Sequence, residues 1–586
     1  MQSAETVLGV LRERGRLGLS CDELYRQLFN PQLYLMAYGN IYANHGSMTP
    51  GATQETADGM STEKIGRIID AMRHERYRFS PARRVYIPKK NGARRPLGLP
   101  SWSDKIVGEV VRLLLEAYYE PTFSDHSHGF RPGRGCHTAL CEVEVGWKGT
   151  VWFIEGDIAD CFGSLDHEIL LKILAERISD NRFLRLVRNM LRAGYLEEWT
   201  WNATLSGAPQ GGVISPLLSS IYLHKLDEFV ETVLIPEYTR GVKRRGNPPY
   251  KRALRARSAA FRHGDREKVK DLNRQIRRLP SSDPQDPGYR RLRYVRYADD
   301  QLLGFTGPKA EAEQIKQRLA DFLRDKLALE LSQDKTLITH ARTQAAHFLG
   351  YEIIVQHAND KLTNGHRKTN GRPLLRVPIS VVRKNIAPYY KRGKPAHDPS
   401  LVNLDDYLIV ATYGNKYRGI VQYYLLAHDV WRLSRLQWVM GTSMLRTLAA
   451  KHQSSVVKMS ARHKAKVLTP HGLRTCFEAR RMQTGRKALV ARFGGIPLKR
   501  QRNANINDRV PRHPRHQKKE LVTRLERGEC EICEKRGQVE VHQVRKLTDL
   551  GACSPNQPVW AARMAEMRRK TLIVCTACHG RIHQEG

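Results

Sequence analysis

Asp299 and Asp300 stand side by side in RYADDQLLGF, between two apolar, strand-like flanks. A third acid, Asp157, follows the apolar run of VWFIEGDIADCF, almost at the end of a second expected strand. An acidic turn by itself specifies nothing, because Asp is common in turns. Carboxylates from neighbouring strands are, however, the ligands a hard cation such as Mg²⁺ takes. Phosphoryl transfer to a nucleotide uses two such ions about 4 Å apart, one activating an attacking hydroxyl and one steadying the leaving pyrophosphate. Asp157 on one strand, with Asp299 and Asp300 on a hairpin beside it, would supply that set, and the metals would neutralise the pair.

A second constellation closes the sequence. Cys530 and Cys533 form one CxxC, Cys575 and Cys578 another, and paired thiolate knuckles suit a closed tetrahedral structural zinc. The 41 residues between the knuckles must fold into something larger than a simple ribbon. Within and beyond that frame lie His542, His579 and His583; the last two, four apart on an expected helix, share one face and can meet a single ion.

The elements that position these groups belong to a large basic chain. At 586 residues three or more domains are expected, and 98 Lys and Arg against 59 Asp and Glu give a formal charge of +39. A compact form so charged repels itself unless it meets a polyanion, so nucleic acid is the default partner. The sequence carries neither an apolar run of about 20 residues nor a signal-peptide core, which predicts no membrane and a cytoplasmic location. The remaining cysteines are scattered, against a secreted disulfide framework.

Residues 1–80 read as polar, partly helical segments with a Gly/Thr-rich break. A helix is expected to open at Ser61 and Lys64, with Ile65, Ile68, Ile69 and Met72 at helical spacing. RRVYIPKKNGARRPLGLP predicts a basic hairpin around Asn-Gly, and mixed helix and strand patterns continue to about 360. Between Arg240 and Arg296 stand 19 Lys or Arg and five Asp or Glu, which marks a basic insertion, 236–292, that grips a phosphate backbone. From about 400 to 490 the pattern is helical, with Tyr423 and Trp431 expected in the core. Residues 491–525 read as a basic connector to a separate C-terminal module, 526–586.

Five blocks, RPLGLPSWSDK, SHGFRPGRG, GAPQGGVISPLLSSIYLHKLD, YADD and FLGYEI, come in this order and are followed by a helical region and the CxxC…CxxC terminus. Together they resemble the group II intron-encoded proteins. The resemblance implies a multidomain α/β right-hand polymerase: fingers and palm over 81–360, an α-helical thumb or maturase domain over 361–490, and a small zinc-containing, HNH-like (ββα-metal) C-terminal domain. Residues 1–80 would be an RNA-binding extension and 491–525 a DNA-binding segment.

Residue by residue, Asp157, Asp299 and Asp300 match the family's catalytic, Mg²⁺-binding carboxylates. Phe162 matches the bulky position that blocks a ribose 2′-hydroxyl. Lys89 and Arg95 match basic residues that hold the incoming triphosphate. Gln210, with Pro209 and Gly211, matches a block that shapes the nucleotide pocket, and Lys335 resembles a lysine that steadies or protonates the leaving pyrophosphate. In the C-terminal module His542, His579 and His583 match the metal ligands of an HNH nuclease, and Asn556 falls near the motif's central Asn. Members usually carry a second histidine where this chain has Gln543, and that histidine is the general base. Gln543 has no basic side-chain nitrogen and cannot take the proton. The nuclease is then weak or silent, with the module kept for DNA binding and stability, or another group such as a nearby histidine or a metal-bound hydroxide serves as base.

The function so implied is a reverse transcriptase and maturase. It binds intron RNA, assists splicing, remains with the lariat as a ribonucleoprotein and copies the RNA into DNA from a target 3′-OH, using dNTPs, in the bacterial cytoplasm or nucleoid. Two rivals differ in class: a splicing factor with an inert polymerase, and a host-recruited reverse transcriptase of repair or defence.

Overall fold

The structure is a computed structural model that describes all residues except 1, 45, 89–91, 93, 198–199, 203–206, 208–211, 333, 359–361, 364–365, 368–369, 471, 484–485, 507–519, 551–556 and 586. Its centre is a four-stranded antiparallel sheet in the order Arg291–Tyr297, Asp300–Thr306, Trp152–Asp157, Leu337–His340. One face of the sheet puts Ile154, Leu292, Tyr294, Leu303 and Phe305 into the largest core. The other puts Phe153, Val295 and Leu302 against the helices that follow 400. Such runs, apolar on both faces, are what a doubly covered sheet requires.

The same large core takes in the N-terminal segment. Ser61 caps the helix Thr62–Arg73 by accepting from the Lys64 N–H at 3.2 Å, and Ile65, Ile68, Ile69 and Met72 are its buried stripe, as the spacing predicted. These pack with the helix Trp102–Tyr119, which is buried almost all round. The predicted basic hairpin is present: Ala82–Pro88 pairs with Arg94–Leu99, and Tyr195–Glu197 and Thr200–Asn202 extend it to a four-stranded sheet. The basic insertion forms two helices, Pro248–Arg262 and Arg266–Arg278, of which only Ala253 and Ala260 are buried. Nearly all their cations face water.

Two expectations about the region after 400 change. The helices Asp406–Tyr423, Ser434–Lys451 and Val456–His463 give way to an antiparallel sheet of Lys464–Thr469, Gly472–Gln483 and Arg486–Gly494, so helix does not run to 490. The alternation of exposed and half-buried residues along KAKVLT is a strand period that the surrounding Arg and Lys conceal. Trp431, expected in the core, is 64% exposed, because its short 3₁₀ turn buries Val430 and Leu433 instead. Tyr423 packs against Tyr351 and Tyr424.

The C-terminal module shares a sheet with the N-terminal segment. Met60–Ser61 pairs antiparallel with Val539–Gln543, which pairs in turn with Thr571–Cys575. Val539, Val541 and Ile573 face the large core, whereas Leu572 and Val574 face a small one that includes Cys530 and Cys578.

Candidate active site and metal centres

The register of the central sheet sets Asp157 directly opposite Asp300, and Asp299 lies in the two-residue turn, Ala298–Asp299, between paired Tyr297 and Asp300. Ala298 takes a positive φ of 55°, the conformation a tight hairpin asks of its first turn residue and one that glycine adopts without strain. Neighbours over-determine this turn. The Arg296 side chain donates to the Ala298 carbonyl at 2.9 Å and forms a fork with Asp227, at 2.7 and 2.5 Å, on the helix Ser215–Phe229. Both partners are fully buried, and Tyr294 donates to the same carboxylate. From the other side the SHGF block joins the strand, with hydrogen bonds from Arg296 N–H to the His126 carbonyl and from His128 N–H to the Arg296 carbonyl. Gly129 lies so close that a Cβ there would stand 2.4 Å from the Ala298 nitrogen. Arg296 and Asp227 were not among the residues singled out in the sequence; their signal was an Arg just before YADD and an Asp near the end of the helix that follows GAPQGG.

The three acids crowd one another. Desolvation in the cleft, together with the charges of Asp299 and Asp157, pushes Asp300 up to about 7. Asp299 is raised as well, by burial and by Asp157. Lys335 Nζ lies 2.5 Å from Asp157 Oδ2, which raises the lysine, and Arg95 adds a smaller favourable charge toward Asp299. Three hard oxygen donors with too little cationic charge around them fit divalent ions. Phe162 sits half-buried in the short helix Cys161–Ser164. The Gly207 backbone passes so close that a Cβ there would be 2.7 Å from the Phe162 carbonyl oxygen. Lys89, Pro209, Gln210, Gly211 and Asn556 lie outside the described residues.

The four cysteine sulfurs, Cys530, Cys533, Cys575 and Cys578, converge within 4.8 Å, with Cys533 and Cys575 3.8 Å apart. A tetrahedron with 2.3 Å zinc–sulfur bonds has edges of about 3.8 Å. Burial would raise the Cys530 thiol, but backbone N–H groups of Cys533, Cys575 and Ile532 outweigh it and lower the thiol to about 7. His542, His579 and His583 also lie together, and their donor atoms form a second group with Asp58, a residue no motif pointed to. Burial opposes the charge on Asp58, yet His542, His579 and the Gln543 N–H hold it well below the usual carboxylate range. Gln543 itself turns away from the histidines. Its amide donates to the Tyr42 carbonyl at 2.9 Å and Ser47 Oγ at 3.2 Å, so the side chain at the base position is buried in the N-terminal segment.

Residues 87–247 match the model for reverse transcriptase (RNA-dependent DNA polymerase), 370–494 that for type II intron maturase, and 530–579 that for AI2M/AI1M-like HNH endonuclease. The group II intron-encoded protein LtrA of Lactococcus lactis subsp. cremoris is 36% identical over 95% of this chain and 94% of its own. An uncharacterized 91 kDa protein in the cob intron of Schizosaccharomyces pombe is 32% identical over 96% of this chain and 69% of its own. Among solved structures, telomerase from Candida albicans aligns with a TM-score of 0.32 and 14% identity over 66% of this chain and 56% of that chain. No helix among the described residues is long and apolar enough to cross a membrane. With likeness to LtrA running nearly end to end, the chain belongs to the group II intron-encoded proteins, an RNA-directed DNA polymerase joined to a maturase domain and an HNH-like domain.

Proposed function

We propose that Asp157, Asp299 and Asp300 hold two Mg²⁺ ions and that the chain copies its intron RNA into DNA from a 3′-OH in a DNA target. The observation that carries the reading is the register: Asp157 and Asp300 face each other across paired strands, with Asp299 in the adjoining turn. When bound, the ions activate the primer hydroxyl and steady the departing pyrophosphate. The protein's own groups then have distinct tasks. Arg95, with Lys89, pairs with the triphosphate of an incoming dNTP. Gln210 shapes the pocket around that nucleotide. Phe162 excludes a 2′-hydroxyl by volume and so selects deoxyribose. Lys335, paired with Asp157, lies beside the carboxylates and would steady the departing pyrophosphate and give it a proton.

The four-cysteine cluster holds a structural Zn²⁺ in this reading. Intron RNA, retained as a lariat ribonucleoprotein, lies against the basic insertion and the maturase helices. Support for that grip comes from a cleft of about 640 Å³ lined by Lys148, Arg244, Arg277 and Arg342, together with Tyr250 and Tyr289, with no acid among the described residues that line it. The test is a reconstituted ribonucleoprotein given a DNA duplex with a nick at the insertion site and labelled dNTPs. Labelled cDNA covalently continuous with the nicked strand is expected, and cDNA formed only from RNA primers would contradict the reading.

A further inference from the structure

The histidines of the C-terminal module enclose a carboxylate that arrives from the opposite end of the chain. Asp58 lies beside the strand Met60–Ser61, 485 positions before Gln543, whose N–H it accepts at 2.7 Å. Its Oδ1 is 3.2 Å from His542 Nδ1, and its Oδ2 is 3.4 Å from His579 Nε2 and 2.9 Å from His583 Nε2. The last two nitrogens are 3.2 Å apart. A tetrahedron with bonds of 2.0–2.1 Å has edges of about 3.3 Å; the individual contacts lie near that length, and the four donor atoms, one per residue, all lie within 4.8 Å of one another.

Two further observations point to a cation rather than to a set of ion pairs. His542 is 5% exposed, and neither of its ring nitrogens makes a well-aligned hydrogen bond; Nδ1 has only the ion-pair approach of Asp58 Oδ1. A buried imidazole so poorly satisfied is destabilising, and a cation between Nδ1 and Asp58 would satisfy both. His579 donates its far nitrogen to Glu540 Oε2 at 2.8 Å, the outer carboxylate that orients a ligating imidazole and raises its basicity.

We propose that Asp58, His542, His579 and His583 form a closed four-ligand site for a divalent cation of the zinc class, and that this site is a clasp between the N-terminal segment and the C-terminal module. Three imidazoles and one carboxylate suit such an ion and not Mg²⁺. A strand-cutting metal keeps a position open for water or a phosphate. Asp58 fills that position, and Gln543, where a base would stand, is committed to Tyr42 and Ser47 on the N-terminal segment. Both departures act in one direction: they convert a nuclease centre into a fastening.

The experiment loads the full-length chain with Zn²⁺, removes it with increasing chelator, and follows zinc content together with amide exchange at 57–61 and 539–543. Wild type is expected to hold two zinc ions per chain, and loss of the first to leave is expected to speed exchange in both segments. Asp58→Asn should hold that ion at least about tenfold more weakly, with primer extension on an RNA template unchanged as evidence of an intact fold, and His542→Ala should shift it in the same direction. One zinc per chain in wild type, equal retention by Asp58→Asn, or exchange at 57–61 that ignores the loss would each overturn the proposal.

Discussion

Asp300 is about half protonated at neutral pH, because burial and the charges of Asp299 and Asp157 push its carboxyl up to about 7, and a cation bound there, as proposed, has to displace that proton. Proton and metal then compete for one group, and the sign follows: below about pH 7 each metal that binds must displace a proton, and above it none is displaced. The apparent affinity for Mg²⁺ in primer extension is expected to rise about fivefold from pH 6 to pH 7 and to level off above pH 8. A Mg²⁺ titration at several pH values reads this directly, and a flat profile would contradict it. At Gln543 the expectation is of a different kind. The side chain faces Tyr42 and Ser47 while His542 faces the other histidines, so Gln543→His places an imidazole away from them. It should fail to restore DNA nicking and should lose about 1–3 kcal/mol of stability from the broken amide bonds, measurable as a lower denaturant midpoint. The substitution was legible in the sequence as a lost base. The direction in which the side chain points was not, since that depends on a strand pairing with a segment nearly 500 residues away.

The elements around the Ala298–Asp299 turn explain more of the motif than the acids do. Arg296 and Asp227 tie the turn-bearing strand to the helix Ser215–Phe229 as a fully buried pair. Removing one partner leaves an uncompensated buried charge, so Asp227→Ala is expected to cost about 3–5 kcal/mol and to reduce polymerisation through a displaced Ala298 carbonyl; thermal unfolding and primer extension measured on the same variant check both. Gly129→Ala tests the opposite wall of the turn. A Cβ 2.4 Å from the Ala298 nitrogen cannot be accommodated, so the hairpin must shift and synthesis should fall while intron RNA binding persists. The sheet was readable from apolar runs, and the helix Thr62–Arg73 from its stripe and cap. The strands of 464–494 were not, because Arg and Lys occupy their outward positions and mask the alternation. Nor was the exposure of Trp431, for which apolar character alone is a poor guide to burial.

Across the whole molecule, the basic surface and the acidic turn lie in different places. The excess of 98 basic over 59 acidic residues is concentrated partly in the insertion and in the cleft of Arg244, Arg277 and Arg342. Replacing these three by alanine should weaken intron RNA binding and lower the slope of log affinity against log salt by about two to three units, without altering dNTP affinity. The carboxylates occupy a different place, at the turn between central strands, and the maturase match begins only at residue 370. Family and domain order were legible because each motif is local. The joining of residue 58 to residue 542 was not, because it exists only in the fold. The most direct test of the central reading uses this separation: Asp299→Asn assayed in parallel for DNA synthesis on an RNA template and for protein-assisted splicing of the intron. Synthesis is expected to vanish while splicing stays near wild type; equal loss of both activities, or synthesis that survives, would contradict the assignment of the acids as the polymerase's metal-binding carboxylates.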